Sequence, residues 1–318
     1  MLIETIIAKL LEKALRNTGI YSLLFSPKRI KKRQYPLVDL SIPYPDQLRY
    51  YPLMKKGLYQ IFDQEVAEDH LYSPSFRNTP FWKVKWVDTD PKDFWEIARG
   101  WQWSMAYFEA KRSKEENIVI GIILEWFDKN PYPNGLGWAV ALEVAIRAIN
   151  LYLIACDSKD KRLNPLLDQH VQYLKNTLWI SKHAIRNNHY FGELIAYAIL
   201  TGKKTQEVRE EIGFQFYPDG VNIEQSIQYH RFSLEFLLLA QEFLPIQSNI
   251  PSKAISFLSH IRKQDGTFPN IGDNDQGCVC PVFTDSLLKQ RDTKTDGEWK
   301  YEKGGFYILK NESDFVMV

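Results

Sequence analysis

The chain has 318 residues, of which 45% are hydrophobic and 25% are charged, and its formal net charge is +1. This composition is typical of a globular protein, and the length allows one large domain or two smaller ones. The near-neutral charge gives no general reason to expect nucleic acid or a membrane as the main partner. The three cysteines, an odd number in a long chain, argue against a disulfide framework.

The first predicted element is an amphipathic helix. Apolar residues recur at helical spacing from Leu2 to Leu15, but charged residues such as Lys9 and Glu12 interrupt any apolar core of a secretion signal. We expect this helix to pack on the domain rather than to lie on a membrane. Because no clear signal peptide is visible, the sequence by itself favours the cytoplasm.

A basic run, Lys28 to Arg33, follows this helix. Its first interpretation is a solvated surface patch, and docking to an anionic polymer or membrane surface is the alternative. Residues 34–91 are rich in Pro, Tyr and Asp, and they predict irregular structure with one helix near residues 46–63. Residues 1–90 are therefore predicted to form an N-terminal helix and a wrapping segment.

From residue 93 onward the pattern predicts one helix after another. The predicted helices span residues 93–111, 114–128, 136–157, 163–184, 189–201, 204–213, 222–244 and 251–264. Consecutive long helices of mixed polarity favour paired helices in an α/α array, which we assign to residues 91–265. The longest apolar stretch, residues 136–156, contains charged residues and so predicts a buried core helix rather than a membrane span.

The last part of the chain, residues 266–318, is predicted to be a linker followed by strands. Residues 304–310 and 314–318 have the apolar patterns of two strands. The second of them would leave an apolar edge that an isolated domain normally protects. We therefore expect that a β-rich domain begins at about residue 300 and is only partly contained in this sequence.

Charged and polar residues on the apolar 136–157 helix require an explanation. Glu143, Arg147 and Asn150 are spaced i, i+4 and i+7, so they form one stripe. This stripe predicts either the lining of a water-filled cleft or a buried structural pair. Glu96 and Arg99, spaced i and i+3, are a second pair of opposite charges on one face of a predicted helix.

An amide, an imidazole and a phenol occur in two further motifs, Asn188-His189 and Tyr229. Without a metal, such groups can remove a proton beside a carboxylate, because the first two stabilise the developing charge while the phenol moves the proton. Simpler interpretations are a helix cap for Asn188, a hydrogen bond from His189 to Glu193, and a core or rim position for Tyr229.

No metal site is predicted. The segment Asp273 to Gly277 resembles the start of a calcium loop, but position twelve is Thr284 rather than glutamate, so a Gly/Asp turn is favoured over a site at Asp273 and Asp275. Cys278 and Cys280 have no second ligand pair with suitable spacing for zinc.

Several segments together resemble the heparinase II/III-like polysaccharide lyases, which include alginate lyases. In the order of that family, they are Phe94–Arg99, Asn130-Pro131 with Gly137-Trp138 and Leu142–Arg147, Asn188-His189, Pro218-Asp219-Gly220 with Glu224–His230, and Ile271–Gly277. The resemblance covers residues 90–318. It implies a mainly α fold, an incomplete (α/α) toroid, followed by the start of an antiparallel β-sandwich domain.

The same resemblance implies β-elimination on a uronic acid residue of an acidic polysaccharide, in a bacterial protein that needs no cofactor. Asn188 and His189 would neutralise the uronate carboxylate, and Tyr229 would act as base or acid at the glycosidic oxygen. The residues implied to shape the cleft or to bind substrate are Glu143, Arg147, Glu96, Arg99, Gln225, Trp138 and Arg231.

Tyrosine has an ordinary pKa near 10, so a nearby cation would have to favour the phenolate. Arg231, His230 and Arg186 are the candidates. The family also takes a further catalytic His or Tyr from the β-sandwich, so we expect this chain to supply only part of a site. Family lyases are typically periplasmic or secreted, which is the alternative to a cytoplasmic location.

Two other functions stay open. An inverting glycoside hydrolase on an α/α toroid would need two carboxylates, for which the candidates are Glu143, Glu193, Glu224 and Asp273. A non-catalytic protein that binds polysaccharide or assists surface-polysaccharide assembly would keep the cleft without turnover.

Overall fold

The computed structural model describes residues 2–35, 42, 48–67, 77–85, 91–274, 277–290, 296–311 and 314–318. The chain forms two compact units. The first comprises Met1–Thr201 with Cys280–Val282, and the second comprises Gly202–Val279 with Phe283–Val318. Compactness does not test where independently folding domains begin and end, so the boundaries 1–90, 91–265 and 266–318 stay predictions.

The first unit is mainly helical. Its α-helices are α1 (Leu2–Asn17), α2 (Ile20–Leu24), α3 (Tyr50–Lys55), α4 (Lys92–Ala98), α5 (Trp101–Ala110), α6 (Glu116–Lys129), α7 (Ala141–Ser158), α8 (Asn164–Ala184) and α9 (Asn188–Thr201). Between α3 and α4 lies an antiparallel hairpin of β1 (Leu58–Ile61) and β2 (Gln64–Ala67).

Inner and outer helices alternate along this unit. The inner helices α5, α7 and α9 pack in sequence, with α6 against α5 and with α8 against α7 and α9. α7 buries every residue from Leu142 to Cys156, as an inner helix must. α6 buries only one face, on which residues such as Val119, Ile123 and Trp126 recur at helical spacing. The predicted fold class, mainly α with consecutive helices paired as in an α/α toroid, is confirmed.

The predicted helix at 46–63 is wrong in its second half. α3 ends at Lys55, and Gly57 follows with φ at +73°, a left-handed conformation that terminates a helix. The chain then forms β1 and β2, which are joined by a turn at Phe62 and Asp63. Alternating burial of the β1 side chains stabilises the hairpin in place of further helix.

The helix predicted at 93–111 is two helices, because the chain turns at Gly100. The φ of Gly100 is +71°, and a Cβ atom there would lie 2.8 Å from the ring of Trp103. The helix predicted from residue 222 begins only at Ile227, because Asn222 accepts a hydrogen bond from the amide of Glu224 in a preceding turn. In both places a local turn shortens a correctly predicted helix.

The second unit contains α10 (Thr205–Gln215), α11 (Ile227–Phe243) and α12 (Ile250–Ile261). Its sheet has the order β3 (Gly297–Tyr301), β4 (Phe306–Lys310) and β5 (Phe315–Met317), with antiparallel neighbours. The ring of Phe257 on α12 packs 4.9 Å from Tyr301 and 5.3 Å from Phe306, which holds the sheet against the helix. The two predicted strands are thereby confirmed as β4 and β5.

Two elements near the C-terminus are not predicted by the sequence. One is α13 (Pro281–Gln290), and the other is the strand β3, which lies just before the predicted pair. The Gly, Asp and Cys residues around α13 are typical of a loop, so the sequence pattern does not indicate this short helix. Across the part of the chain that the structure describes, no helix is both long and apolar enough to cross a bilayer.

Candidate functional site

Glu96, Arg99 and Glu143 form one buried ionic cluster in the first unit. Nε of Arg99 donates to Oε2 of Glu143 at 2.5 Å, and a terminal nitrogen donates to Oε1 at 3.2 Å. The other terminal nitrogen donates to Glu96, whose second oxygen accepts from the indole of Trp101 at 3.4 Å. Arg99 thus binds two carboxylates, and its two-point contact with Glu143 fixes the orientation of the guanidinium.

Arg147 is fully buried, and each nitrogen of its guanidinium has a partner. The terminal nitrogens donate to the carbonyl oxygens of Ala98 and Gly137, both at 2.8 Å, and Nε donates to Nε2 of His170 at 3.0 Å. The ring of Trp138 lies 4.7 Å from the guanidinium carbon. Burial lowers the pKa of Arg147 to about 9, and burial together with Arg147 lowers the pKa of His170 well below its usual value.

These contacts join three of the sequence motifs into one core. Arg99 links α4 to α7, and Arg147 links α7 to the ends of α4 and of the turn at Leu136–Trp138. Of the two interpretations of the Glu143–Arg147 stripe, the structure favours burial, but Glu143 binds Arg99 rather than forming a closed pair with Arg147. Arg147 is 0% exposed, so its side chain does not reach the protein surface.

Asn188 and His189 lie in the first turn of α9. Asn188 is buried, His189 is partly exposed, and the backbone amide of His189 donates to Oδ1 of Asn187 at 3.1 Å. Arg186, with φ at +43°, makes the tight turn that separates α8 from α9. The first turn of a helix presents backbone N–H groups and the positive end of the helix dipole, so this position suits an anion.

Glu193, one turn further along α9, is a buried carboxyl group whose environment the sequence does not indicate. Its oxygens accept hydrogen bonds from the hydroxyls of Thr177 at 2.9 Å and Ser181 at 2.5 Å, both on α8. Burial raises the pKa of Glu193 to about 7, although the two hydroxyls oppose the shift. The contacts tie the start of α9 to α8 and so position Asn188 and His189.

Tyr229 lies in the first turn of α11, in the second unit, and its side chain is partly exposed. Its backbone amide donates to Oγ of Ser226 at 3.1 Å, so Ser226 caps the helix. Gln225, just before the cap, is exposed, and its side-chain amide donates to the carbonyl of Gly304 at 3.2 Å. Both catalytic motifs predicted from the sequence therefore begin a helix.

Of the cations considered for Tyr229, His230 does not qualify. Its Nδ1 accepts from the amide of Asn222 at 3.1 Å, and its Nε2 lies 3.0 Å from the carbonyl oxygen of Ala254. Burial lowers the pKa of His230 to about 4, so the ring is neutral at pH 7. Arg231 is charged and partly exposed, 3.7 Å from the buried Glu235 and 3.6 Å from Asp285.

Two glycine turns from the predicted motifs pack tightly within the second unit. Gly220 has φ at +93°, and a Cβ atom there would lie 2.6 Å from the backbone of Lys253 and Ala254. Gly272 has φ at +76°, and a Cβ atom there would lie 2.7 Å from Cβ of Ser226. The second contact places the Ile271 to Asn274 loop directly against the start of α11.

Asp219, beside Gly220, holds the turn between β3 and β4. Its Oδ2 accepts from the amides of Lys303 at 2.8 Å and Gly304 at 2.9 Å. The Pro-Asp-Gly motif thus connects the helical part of the second unit to its sheet.

The residues considered as metal ligands in the sequence were Asp273, Asp275, Cys278 and Cys280. Among the described side chains, no group of three or more His, Cys, Asp or Glu residues is placed to hold a metal ion. Cys278 and Cys280 are buried cysteines, neither of them joined in a disulfide bond. Asp275 lies outside the described residues, and the carbonyl of Asp273 accepts from Oγ of Ser226 at 2.6 Å.

No protein-family model matches the chain, and no curated protein matches it. Among solved structures, it is similar to a heparinase III with methylated lysines, with 16% identity and a TM-score of 0.45, over 96% of this chain and 58% of that one. It is also similar to a heparan sulfate lyase HepC mutant from Pedobacter heparinus, with 16% identity and a TM-score of 0.45, over 92% of this chain and 54% of the other. The chain therefore spans a little over half of these structures, and similarity at this level carries no argument about activity.

Proposed function

We propose that this chain is a polysaccharide lyase, or the helical part of one, which cleaves an acidic, uronate-containing polysaccharide by β-elimination. One observation carries the proposal. The two motifs that contain an amide, an imidazole and a phenol each begin a long helix, and His189 and Tyr229 keep part of their side chains exposed.

The start of α9 suits the substrate carboxylate. A hydrogen on carbon beside an ionised carboxylate is very weakly acidic, because its removal places further negative charge on that group. Side-chain donors from Asn188 and His189, supported by the positive end of α9, would stabilise this charge as it develops. The bonds from α8 to Glu193 fix the helix that carries both donors.

Tyr229 would move the proton. In the proposed reaction the C5–H bond and the C4–O glycosidic bond break, a C4–C5 double bond forms, and the leaving oxygen takes up a proton. A phenol can serve as base or acid in these steps. With His230 neutral, Arg231 is the remaining cationic candidate on α11, but residues two positions apart on a helix point in different directions, and Arg231 lies beside Glu235 and Asp285.

The test is ultraviolet absorbance of the new C4–C5 double bond during incubation with a panel of uronate polysaccharides, alginate among them, and with a neutral polysaccharide. We expect a signal from the acidic polymers that Tyr229→Phe abolishes. Tyr217→Phe, at another partly exposed tyrosine of the second unit, is the matched control and should retain activity.

Two outcomes would redirect the proposal. Full activity in Tyr229→Phe would contradict the assignment of the phenol. Saturable binding of a uronate polymer without any double-bond signal would instead support the non-catalytic binding function, and new reducing ends without unsaturation would support a hydrolase.

A further inference from the structure

The N-terminal helices display apolar side chains to the exterior. Exposed isoleucine and leucine side chains on α1 and α2 are Ile6, Ile7, Leu10, Leu11, Ile20 and Leu23. The four on α1 are spaced i, i+1, i+4 and i+5, so they form one face of the helix. Leu10 is 62% exposed and Ile7 is 55% exposed. We call these six residues the apolar face.

α1 exposes these side chains even though the helix is packed against the rest of the first unit. α1 packs against α8, and Ala8, on the side opposite Lys13, is only 1% exposed. The packed face of the described part of α1 carries Thr5, Ala8, Glu12 and Leu15, and only Ala8 among them is fully buried, while Ile6, Ile7, Leu10 and Leu11 are exposed. In a helix whose only partner were its own domain, the wide apolar side would face that domain.

The segment after α1 is held firmly as well. The ring of Tyr21 on α2 lies 5.1 Å from the ring of Phe25, which directly follows α2, and Phe25 packs 5.4 Å from Tyr173 of α8. The side-chain amide of Asn176 donates to the carbonyl of Leu24 at 2.7 Å. Further along, the hydroxyl of Tyr35 donates to Asp168 at 2.7 Å. α8 thus anchors the N-terminal segment at both of its ends, and the apolar face is displayed on a supported surface.

The same segment concentrates positive charge. Residues 1–33 contain eight lysine or arginine residues and two glutamates, a formal net charge of +6, whereas the whole chain has +1. Lys9 and Lys13 lie on α1 beside the apolar face, and Lys28, Lys31 and Lys32 are exposed in the basic run. An apolar helix face bordered by lysines is the composition that binds the surface of an anionic bilayer.

We propose that the apolar face and the basic run of residues 28–33 dock this protein on an anionic lipid bilayer. α1, with 16 residues, is about 24 Å long and would lie in the plane of the interface, with its aliphatic side chains among the acyl chains. The basic residues would contact the anionic headgroups. Pairing with a second copy through this surface would bring two segments of +6 together, which charge repulsion disfavours.

The test is co-sedimentation with two kinds of vesicle, phosphatidylcholine alone and an equal mixture of phosphatidylcholine and phosphatidylglycerol. We expect binding to the mixed vesicles that weakens as salt is added, because headgroup attraction is screened. The double variant Ile7→Ser/Leu10→Ser should bind the mixed vesicles with an affinity lower by about tenfold or more, because it removes apolar surface that would enter the bilayer. Ile118→Ser, at an isoleucine of α6 that is 42% exposed, is the matched control and should bind as the parent does.

A second variant, Lys28→Gln/Lys31→Gln/Lys32→Gln, tests the electrostatic part and should lose binding to the mixed vesicles. Every substituted side chain is exposed, so we expect all of these variants to fold. Circular dichroism identifies any variant that does not. Equal binding of the parent and the Ile7/Leu10 variant, or no binding of the parent to mixed vesicles, would overturn the proposal. A dimer seen by sedimentation equilibrium, lost in the Ile7/Leu10 variant and accompanied by no vesicle binding, would assign the surface to a second copy.

Discussion

Arg99 binds both carboxylate oxygens of Glu143 in a buried part of the first unit, through Nε at 2.5 Å and a terminal nitrogen at 3.2 Å. The contact joins α4 to α7, which are separated by two other helices in the chain. Glu96 binds the same guanidinium, so the positive charge of Arg99 compensates two carboxylates that would otherwise be costly to bury. α4 is therefore fastened to the inner helix α7 by an ionic cluster as well as by apolar packing.

The first prediction follows from this cluster. Arg99→Met leaves two buried carboxylates facing each other without a cation, and we expect the free energy of unfolding to fall by about 3–5 kcal/mol. Urea denaturation followed by circular dichroism measures this loss. The control is Arg162→Met, which removes an exposed partner of Asp160 and should change stability much less. Similar losses in the two variants would show that the buried cluster contributes no more than a surface pair.

The second prediction concerns the turn at Gly220. Gly220→Ala adds a Cβ atom 2.6 Å from the backbone of Lys253 and Ala254 and imposes a left-handed conformation on alanine, so we expect a loss of about 2 kcal/mol or more. Gly213→Ala is the control, because Gly213 lies in α10 with no atom within 4 Å of the added Cβ. That change should stabilise the protein by about 0.5–1 kcal/mol. Thermal and urea denaturation distinguish the two, and a stabilised Gly220→Ala would contradict the turn geometry.

The third prediction is a pH dependence that originates at Glu193. Its pKa is raised from 4.5 to about 7 in the folded protein, so between these values the folded state keeps a proton that the unfolded state has lost. This contribution to stability is complete below pH 4.5 and is lost as the pH rises through about 7, at a cost on the order of 3 kcal/mol.

Glu193→Gln should remove this loss, and the measurement is the urea midpoint of parent and variant from about pH 5 to about pH 8. The control Glu207→Gln alters an exposed carboxylate of α10 and should keep the slope of the parent. Buried histidines such as His230 contribute a slope of opposite sign, because their pKa is lowered on folding. Only the difference between variant and parent therefore reports on Glu193, and the same slope in both would refute the assignment.

The fourth prediction concerns the turn between β3 and β4. Asp219→Ala removes the carboxylate that accepts hydrogen bonds from the amides of Lys303 and Gly304, at an expected cost of about 1–3 kcal/mol. Amide hydrogen exchange of residues 297–310 should become faster. Asp265→Ala, which removes an acceptor for Thr267 in a different loop of the same unit, should leave that exchange unchanged. Unchanged exchange in Asp219→Ala would mean that the sheet holds its turn without Asp219.

Helix positions follow largely from local pattern. The prediction of 163–184 corresponds to α8 at Asn164–Ala184, and the prediction of 189–201 corresponds to α9 at Asn188–Thr201. Periodicity, capping residues and breaks are local properties, so they can be recognised without knowledge of the fold. The error at 46–63 arose because a left-handed Gly57 and the pairing of β1 with β2 outweigh helical pattern, and strand pairing is not a local property.

Within the candidate site, the sequence determined which residue types begin α9 and α11 and which charged residues interrupt α7. Only the tertiary structure decided their partners: Glu143 with Arg99, Arg147 with His170 and two carbonyls, and Glu193 with the hydroxyls of α8. Helical spacing brings Glu143 and Arg147 near each other, but a buried ion takes the partner that packing places within hydrogen-bonding distance. Periodicity is a property of one segment, whereas the partner of a buried charge depends on which other segments pack around it.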